Sequence, residues 1–394
     1  KKKTERQNHI KTIFNMSHTL KEQLEDSTVP TFLFGCTPPR DGTEEDKAMQ
    51  SCSKFSARSA ALATDGFIVY DIQDEAGRTS IARPFPFRKT LDPSWYGSLF
   101  PTQSGKQTVV YKCVVESSLD GFKEWFAKAT TTFNHNSFVL VGAPTSSREY
   151  SGCTMKDAAA VIKAHPTATF GCVAIAERHT KKNNEHKNMM RKQNYGAKYF
   201  ITQGIFTAAP IIRLIKDYAE LCRELDVQPA KIILTFAPCG REKTMNFIKW
   251  LGMNVPKAVI DRIFAAKTSD LKEGERDLGP VKESCAIIME VFQEVLAGIT
   301  GVNVPIGINV ESLSIFREEI DAAHTLFQSL QSALLNSRGR PWSIKWYDVG
   351  RGGNAYSDLV IVEKEREKAI KEVAVAALLA GAFGFFVGRR GLRL

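Results

Sequence analysis

Eight short runs of apolar, β-branched and aromatic residues recur along the chain: TFLFGC (31–36), FIVYDI (67–72), TVVYKCVV (108–115), SFVLVG (137–142), TFGCVAI (169–175), KYFITQ (198–203), KIILTF (231–236) and VPIGIN (304–309). Most are nearly continuous rather than alternating, the pattern of strands covered on both faces. Between them lie stretches with helical spacing, among them EEDKAMQSCSKFSARSAALA, DGFKEWFAKATTTF, TMKDAAAVIKAH and AAPIIRLIKDYAELCRELD. Eight strands alternating with helices over about 280 residues predict a (β/α)8 TIM barrel. The competing doubly wound sheet carries a Gly-rich phosphate turn after its first strand. Here the first strand runs into CTPPRDG instead, so the barrel is preferred.

This reading assigns residues 30–337 to the barrel and 1–29 to a basic N-terminal arm or helix. A Gly-rich linker follows at 338–357, then a C-terminal helix at 358–394. Within that helix, 373–388 is uncharged over 16 residues, close to the roughly 20 that span a bilayer. A membrane segment, a helix packed on a partner protein and an internal docking helix all stay open. The segment after the second strand is long, holds four prolines and lacks helical period. Such loops commonly carry function.

Composition narrows the partners. Of 394 residues, 43% are hydrophobic and 24% charged, ordinary globular usage that excludes wholesale disorder and collagen-like repeats. The net charge of +10 gathers in three places: KKKTERQNHIK at the start, the run 177–198, and RRGLRL at the end. No aromatic ladder accompanies these runs, which argues against nucleic acid as a partner. Eight cysteines are scattered with no CxxC pair. That spacing argues against a disulfide scaffold or structural metal and fits a reducing intracellular compartment. An organellar, membrane-associated location is left open.

Barrel chemistry is expected at the C-terminal ends of strands: here 35–40, 70–75, 142–145, 177–179, 203–206, 236–240 and 309–312. The most informative stretch is NNEHKNMMRKQNYGAKYFITQGIF (183–206). On a helix, Glu185, Asn188, Arg191 and Lys192 share one face. The carboxylate suits ribose hydroxyls, and the two cations suit a diphosphate. A solvated helix face has the same spacing. Gln203, ending the next strand, is expected to point its amide into the barrel mouth.

Glu185-x-x-Asn188-x-x-Arg191-Lys192, followed by Gly196-Ala197 and Ile201-Thr202-Gln203, resembles the core signature of the methylenetetrahydrofolate reductase family. There a helix carries D-x-x-N-x-x-R-K, then A-G-A, then I-T-Q. Pro238, Phe247 and Pro256 resemble the family's Phe…I-P element, and TPPR at 37–40 resembles the opening of its first loop. The resemblance covers residues 30–315, strongest over 185–256. It implies a barrel holding FAD at its mouth, a nicotinamide cofactor, NAD(P)H, as reductant, and methylenetetrahydrofolate as substrate. By the same resemblance Glu185, Asn188, Arg191 and Lys192 contact FAD, with Tyr70 and His179 nearer the flavin. Gln203 would sit between flavin and folate, and Phe247 against the folate.

Two positions depart from that pattern. The family's first strand ends E-F-F-P-P, its glutamate being the acid that protonates the folate; this chain has Gly35 there. The family's fourth strand ends L-R-G-D; this chain reads Leu140-Val141-Gly142-Ala143. Loss of a general acid typically costs about 10²–10⁴ in rate, which argues against ordinary oxidoreductase chemistry. Asp71, Asp74 and Glu75 are candidate substitutes on the same rim. The alternative reading is a non-catalytic accessory subunit of a larger organellar or membrane-bound complex, joined through the C-terminal tail.

Overall fold

The computed structural model describes residues 19–75, 79–145, 148–268 and 276–337. Eight strands are present: β1 (Phe32–Cys36), β2 (Gly66–Val69), β3 (Thr108–Cys113), β4 (Ser137–Val141), β5 (Thr169–Ala174), β6 (Tyr199–Gly204), β7 (Lys231–Phe236) and β8 (Ile306–Val310). They pair in parallel in chain order, and β8 pairs with β1 to close the barrel. The fold is the expected (β/α)8 barrel. The helices before β4 are α1 (Leu20–Glu25), α2 (Glu45–Ser59), α3 (Pro93–Gly97), α4 (Phe100–Ser104) and α5 (Leu119–Thr131). After β4 come α6 (Met155–Lys163), α7 (Ala176–Lys182), α8 (Glu185–Tyr195), α9 (Ala208–Glu224), α10 (Glu242–Trp250), α11 (Lys257–Ala265), α12 (Gly279–Gly298) and α13 (Arg317–Leu335).

Side chains alternate along each strand between the helix layer and the barrel interior. On β1, Phe32, Phe34 and Cys36 pack outward, while Leu33 packs inward with Ile68, Val109, Val139, Tyr199, Ile201 and Ile233. On β8, Ile306, Ile308 and Val310 face the helices, which turns Gly307, Asn309 and the following Glu311 inward. Gly171 on β5 is required by this interior. A Cβ there would collide with the ring of Tyr199, whose hydroxyl donates to the Phe138 carbonyl at 2.6 Å.

Helix α1 falls within the stretch read as a basic arm or helix, and it packs against the barrel floor. Thr19 and Glu22 form a reciprocal capping box at its start, and Leu20 and Leu24, one turn apart, join the inner cluster. The buried Lys231, first residue of β7, donates its Nζ to the Gln23 carbonyl and to Thr31 Oγ1. The eight cysteines are unpaired thiols. Among the described residues no helix is long and apolar enough to cross a membrane. The linker expected at 338–357 and the tail at 358–394, with its candidate membrane segment 373–388, lie outside the described residues.

The long loop after β2 is tied down at several points. Arg40 and Thr90 form an antiparallel bridge, flanked by Asp41 N–H donating to Lys89 O and Leu91 N–H to Pro39 O, both 2.9 Å. Trp125 Nε1 donates to Asp92 Oδ2 at 3.1 Å. Thr79 Oγ1 reaches the Trp250 carbonyl at 3.3 Å on α10. Since α10 follows β7, and β7 is separated from β2 by β8 and β1, the loop crosses the mouth above those two strands.

Candidate functional site

Under that crossing loop, the C-terminal ends of β1, β2 and β8 meet at one corner. Gly35 lies inward on β1, and a Cβ built there would come within 2.8 Å of the Tyr70 hydroxyl and 2.9 Å of Glu311 Cβ. The space above this glycine is therefore filled by a carboxyl side chain from just beyond β8. Tyr70 accepts from Asn309 Nδ2 at 2.9 Å, donates to the Glu311 carboxyl, and meets the Tyr111 ring edge-on at 4.9 Å. Asn309 is fully buried, and its Oδ1 lacks a hydrogen-bond partner.

Glu311 is half-buried. Burial pushes its carboxyl up to about 7, opposed by the hydrogen bond from Tyr70. The Tyr70 and Tyr111 hydroxyls are both pushed well above 10, first by burial and then by the nearby Glu311 charge. This corner can thus hold or release one proton near neutrality. No feature of the sequence singled Glu311 out from the other rim positions at 309–312. Its meaning comes from its face on β8 and from the missing side chain on β1.

An aromatic wall stands beyond this corner. Phe247 stacks on Trp250 with ring centroids 5.7 Å apart and meets Phe85 of the crossing loop at 4.6 Å with the rings tilted by 42°. The guanidinium of Arg83 lies 4.5 Å from the Trp250 ring and 5.2 Å from Phe87. Its Nε and Nη1 are buried without a hydrogen-bond partner, and the nearest acid, Asp74, is 3.9 Å away. Gln203 turns inward beside this wall and donates its Nε2 to the Leu251 carbonyl at 2.7 Å. The wall is positioned by Glu319 of α13, whose buried carboxylate accepts from Gly240 N–H (2.6 Å), Arg241 N–H (3.0 Å) and Thr244 Oγ1 (2.8 Å) at the start of α10.

Other predicted residues are placed differently. Asp71 is occupied at both oxygens, accepting from Cys113 N–H and Gln73 Nε2 at 2.7 Å each; it fastens β2 to β3. Burial raises its carboxyl despite these bonds. Glu185 is buried and accepts from Ile175 N–H (3.3 Å) and Asn188 Nδ2 (3.1 Å). Lys192 donates its Nζ to the Val173 carbonyl at 2.6 Å. These three side chains come together, as one helical face should, but they bind α8 to the end of β5. Arg191 is exposed and separate from them. Such engaged groups do not fit the ribose and diphosphate of FAD as the resemblance implies. His179 is fully buried, its Nε2 hydrogen-bonded to Asp217 of α9 at 2.8 Å, and so looks into the helix layer. His186 lies beside it, and the three residues bring possible ligand atoms within 4.8 Å of one another.

The chain is similar to an uncharacterized protein from Clostridium thermocellum that binds two copies of 5-methyl-5,6,7,8-tetrahydrofolic acid. The two are 27% identical with a TM-score of 0.66, over 80% of this chain and 99% of that one. Two other solved structures are far more distant. A 2,3-dimethylmalate lyase is 8% identical with a TM-score of 0.37, over 67% of this chain and 93% of that one. The dihydropteroate synthase of Xanthomonas albilineans, solved with 4-aminobenzoic acid, is 13% identical with a TM-score of 0.37, over 77% and 94%. At that distance neither bears on function. No protein-family model and no curated protein matches the chain.

Proposed function

We propose that the chain is a folate-binding barrel, resembling methylenetetrahydrofolate reductases in architecture, that takes a reduced folate in its C-terminal mouth. The observation that carries this reading is the likeness, across nearly the whole of the other chain, to a protein that binds two copies of 5-methyltetrahydrofolate. The chemistry of the mouth supports it. A folate is a flat heteroaromatic ring joined through a benzoyl amide to carboxylates. The half-buried Phe85 and Phe247 offer ring surface for stacking, and the half-buried Gln203 amide offers polar atoms for a ring edge. The Arg83 guanidinium, 3.9 Å from Asp74 and set against the Trp250 and Phe87 rings, adds positive charge at this wall that favours the carboxylates of a folate. Gly35 and Ala143 leave β1 and β4 without carboxylates, so the reading is one of binding and does not extend to flavin-driven reduction.

Titration calorimetry of the purified protein with 5-methyltetrahydrofolate tests this directly. Saturable binding in the micromolar range is expected. Phe247→Ala should weaken it by about 3- to 10-fold, the loss of one aromatic stacking contact of about 0.5–1.5 kcal/mol. Absence of any binding at millimolar folate would rule the reading out.

A further inference from the structure

We infer that Glu311 is a proton-transfer site at the floor of the mouth, where its carboxyl exchanges one proton with a basic ring nitrogen of the bound heterocycle. This rests on the folate reading above. Three observations converge on it. Glu311 faces inward from the end of β8 at the C-terminal end of the barrel, where barrel chemistry is done. It stands over Gly35, where an added Cβ would come within 2.9 Å of the Glu311 Cβ. It is half-buried at this rim and not sealed in the core, which leaves part of it within reach of a ligand.

Its protonation is set by this surround. The titratable groups that face it are Tyr70 at the end of β2 and Tyr111 on β3, and both stay neutral well beyond pH 10. Among the described residues no basic side chain offsets its burial. The carboxyl therefore gains or loses its proton near pH 7 while its neighbours keep theirs, the condition for efficient general acid–base action. In the step itself the Glu311 O–H bond breaks and an N–H bond forms on the ring. A carboxylate and a ring cation remain, and Tyr70 steadies the carboxylate by the hydrogen bond it donates. The reverse transfer restores the neutral pair. No redox partner is involved.

The experiment is calorimetric titration with 5-methyltetrahydrofolate between pH 6 and 8.5, on wild type, Glu311→Gln and Tyr70→Phe, after thermal melts confirm folding. Wild-type affinity should fall above about pH 7, approaching tenfold per unit, because the free protein must then take up a proton to bind. Glu311→Gln should bind with a flat pH profile. Tyr70→Phe should move the break to higher pH, since it removes the bond that favours the carboxylate. Folate binding by wild type with the same slope retained in Glu311→Gln, or an unmoved break in Tyr70→Phe, would overturn the inference and leave the folate reading standing. No binding by wild type at any pH would overturn both.

Discussion

Gly35→Ala should cost the protein both stability and ligand affinity, although it adds a single methyl group. The new Cβ would lie 2.8 Å from the Tyr70 hydroxyl and 2.9 Å from Glu311 Cβ and Tyr70 Cε2. Glu311 Cβ is fixed by its own backbone and has little room to yield. Tyr70 is held on two sides, by Asn309 and by the Tyr111 ring. The end of β1 or of β8 must therefore shift. Overpacking of this kind costs about 1–3 kcal/mol, and because the displaced groups form the mouth, folate affinity should drop by at least tenfold. Gly142→Ala is the matched control: its Cβ would meet only Met155 Cε at 3.9 Å. Urea unfolding and folate titration of the two variants side by side decide the matter. Equal stability and affinity in both would show that the corner is slack.

A larger loss is expected from Glu319→Ala. This residue is fully buried on α13 and serves the first turn of α10, satisfying two backbone N–H groups and the Thr244 hydroxyl. A carboxylate at a helix start also meets the positive end of the helix dipole. Truncation leaves two donors orphaned, each costing about 1–3 kcal/mol, so a total of about 3–5 kcal/mol is expected. Because α10 carries Phe247 and Trp250, tryptophan emission and folate affinity should change together. Glu319→Gln keeps one acceptor oxygen and should recover part of both. A truncated variant with wild-type urea midpoint would show that α10 is held by other contacts.

The eight strands were legible because each is buried on both faces and so shows an apolar run. Their ends were less so. The run 67–72 suggests a longer second strand, but β2 stops at Val69, after which Asp71 turns its carboxylate to the backbone of β3. A helix was one of the two readings of residues 1–29, but its interior seat was hidden because only Leu20 and Leu24 mark it as buried. At the site, the spacing placed Glu185, Asn188, Arg191 and Lys192 on one helical face; Glu185, Asn188 and Lys192 do come together, while Arg191 stands apart and exposed. What that face meets, the end of β5, depends on packing that spacing does not encode. Glu311 was invisible for a related reason: its environment is made by a glycine and a tyrosine on two strands at the other end of the chain.

The floor helix also has a consequence for the order of assembly. Leu20 and Leu24 touch an interior built from β1, β2, β3, β4, β6 and β7, and the Lys231 ammonium that grips Gln23 is 208 positions further on. Contacts so far apart in sequence reward the chain only after most of its loops have closed. The first described helix to leave the ribosome is thus expected to be the last to find its seat. Pulse-labelled hydrogen exchange during refolding should show the amides of 20–25 protected after those of β6 and β7; earlier protection would mean that the helix nucleates the barrel instead. A mutation such as Leu24→Ala would then act mainly by hastening unfolding, with the barrel losing its stopper before its staves.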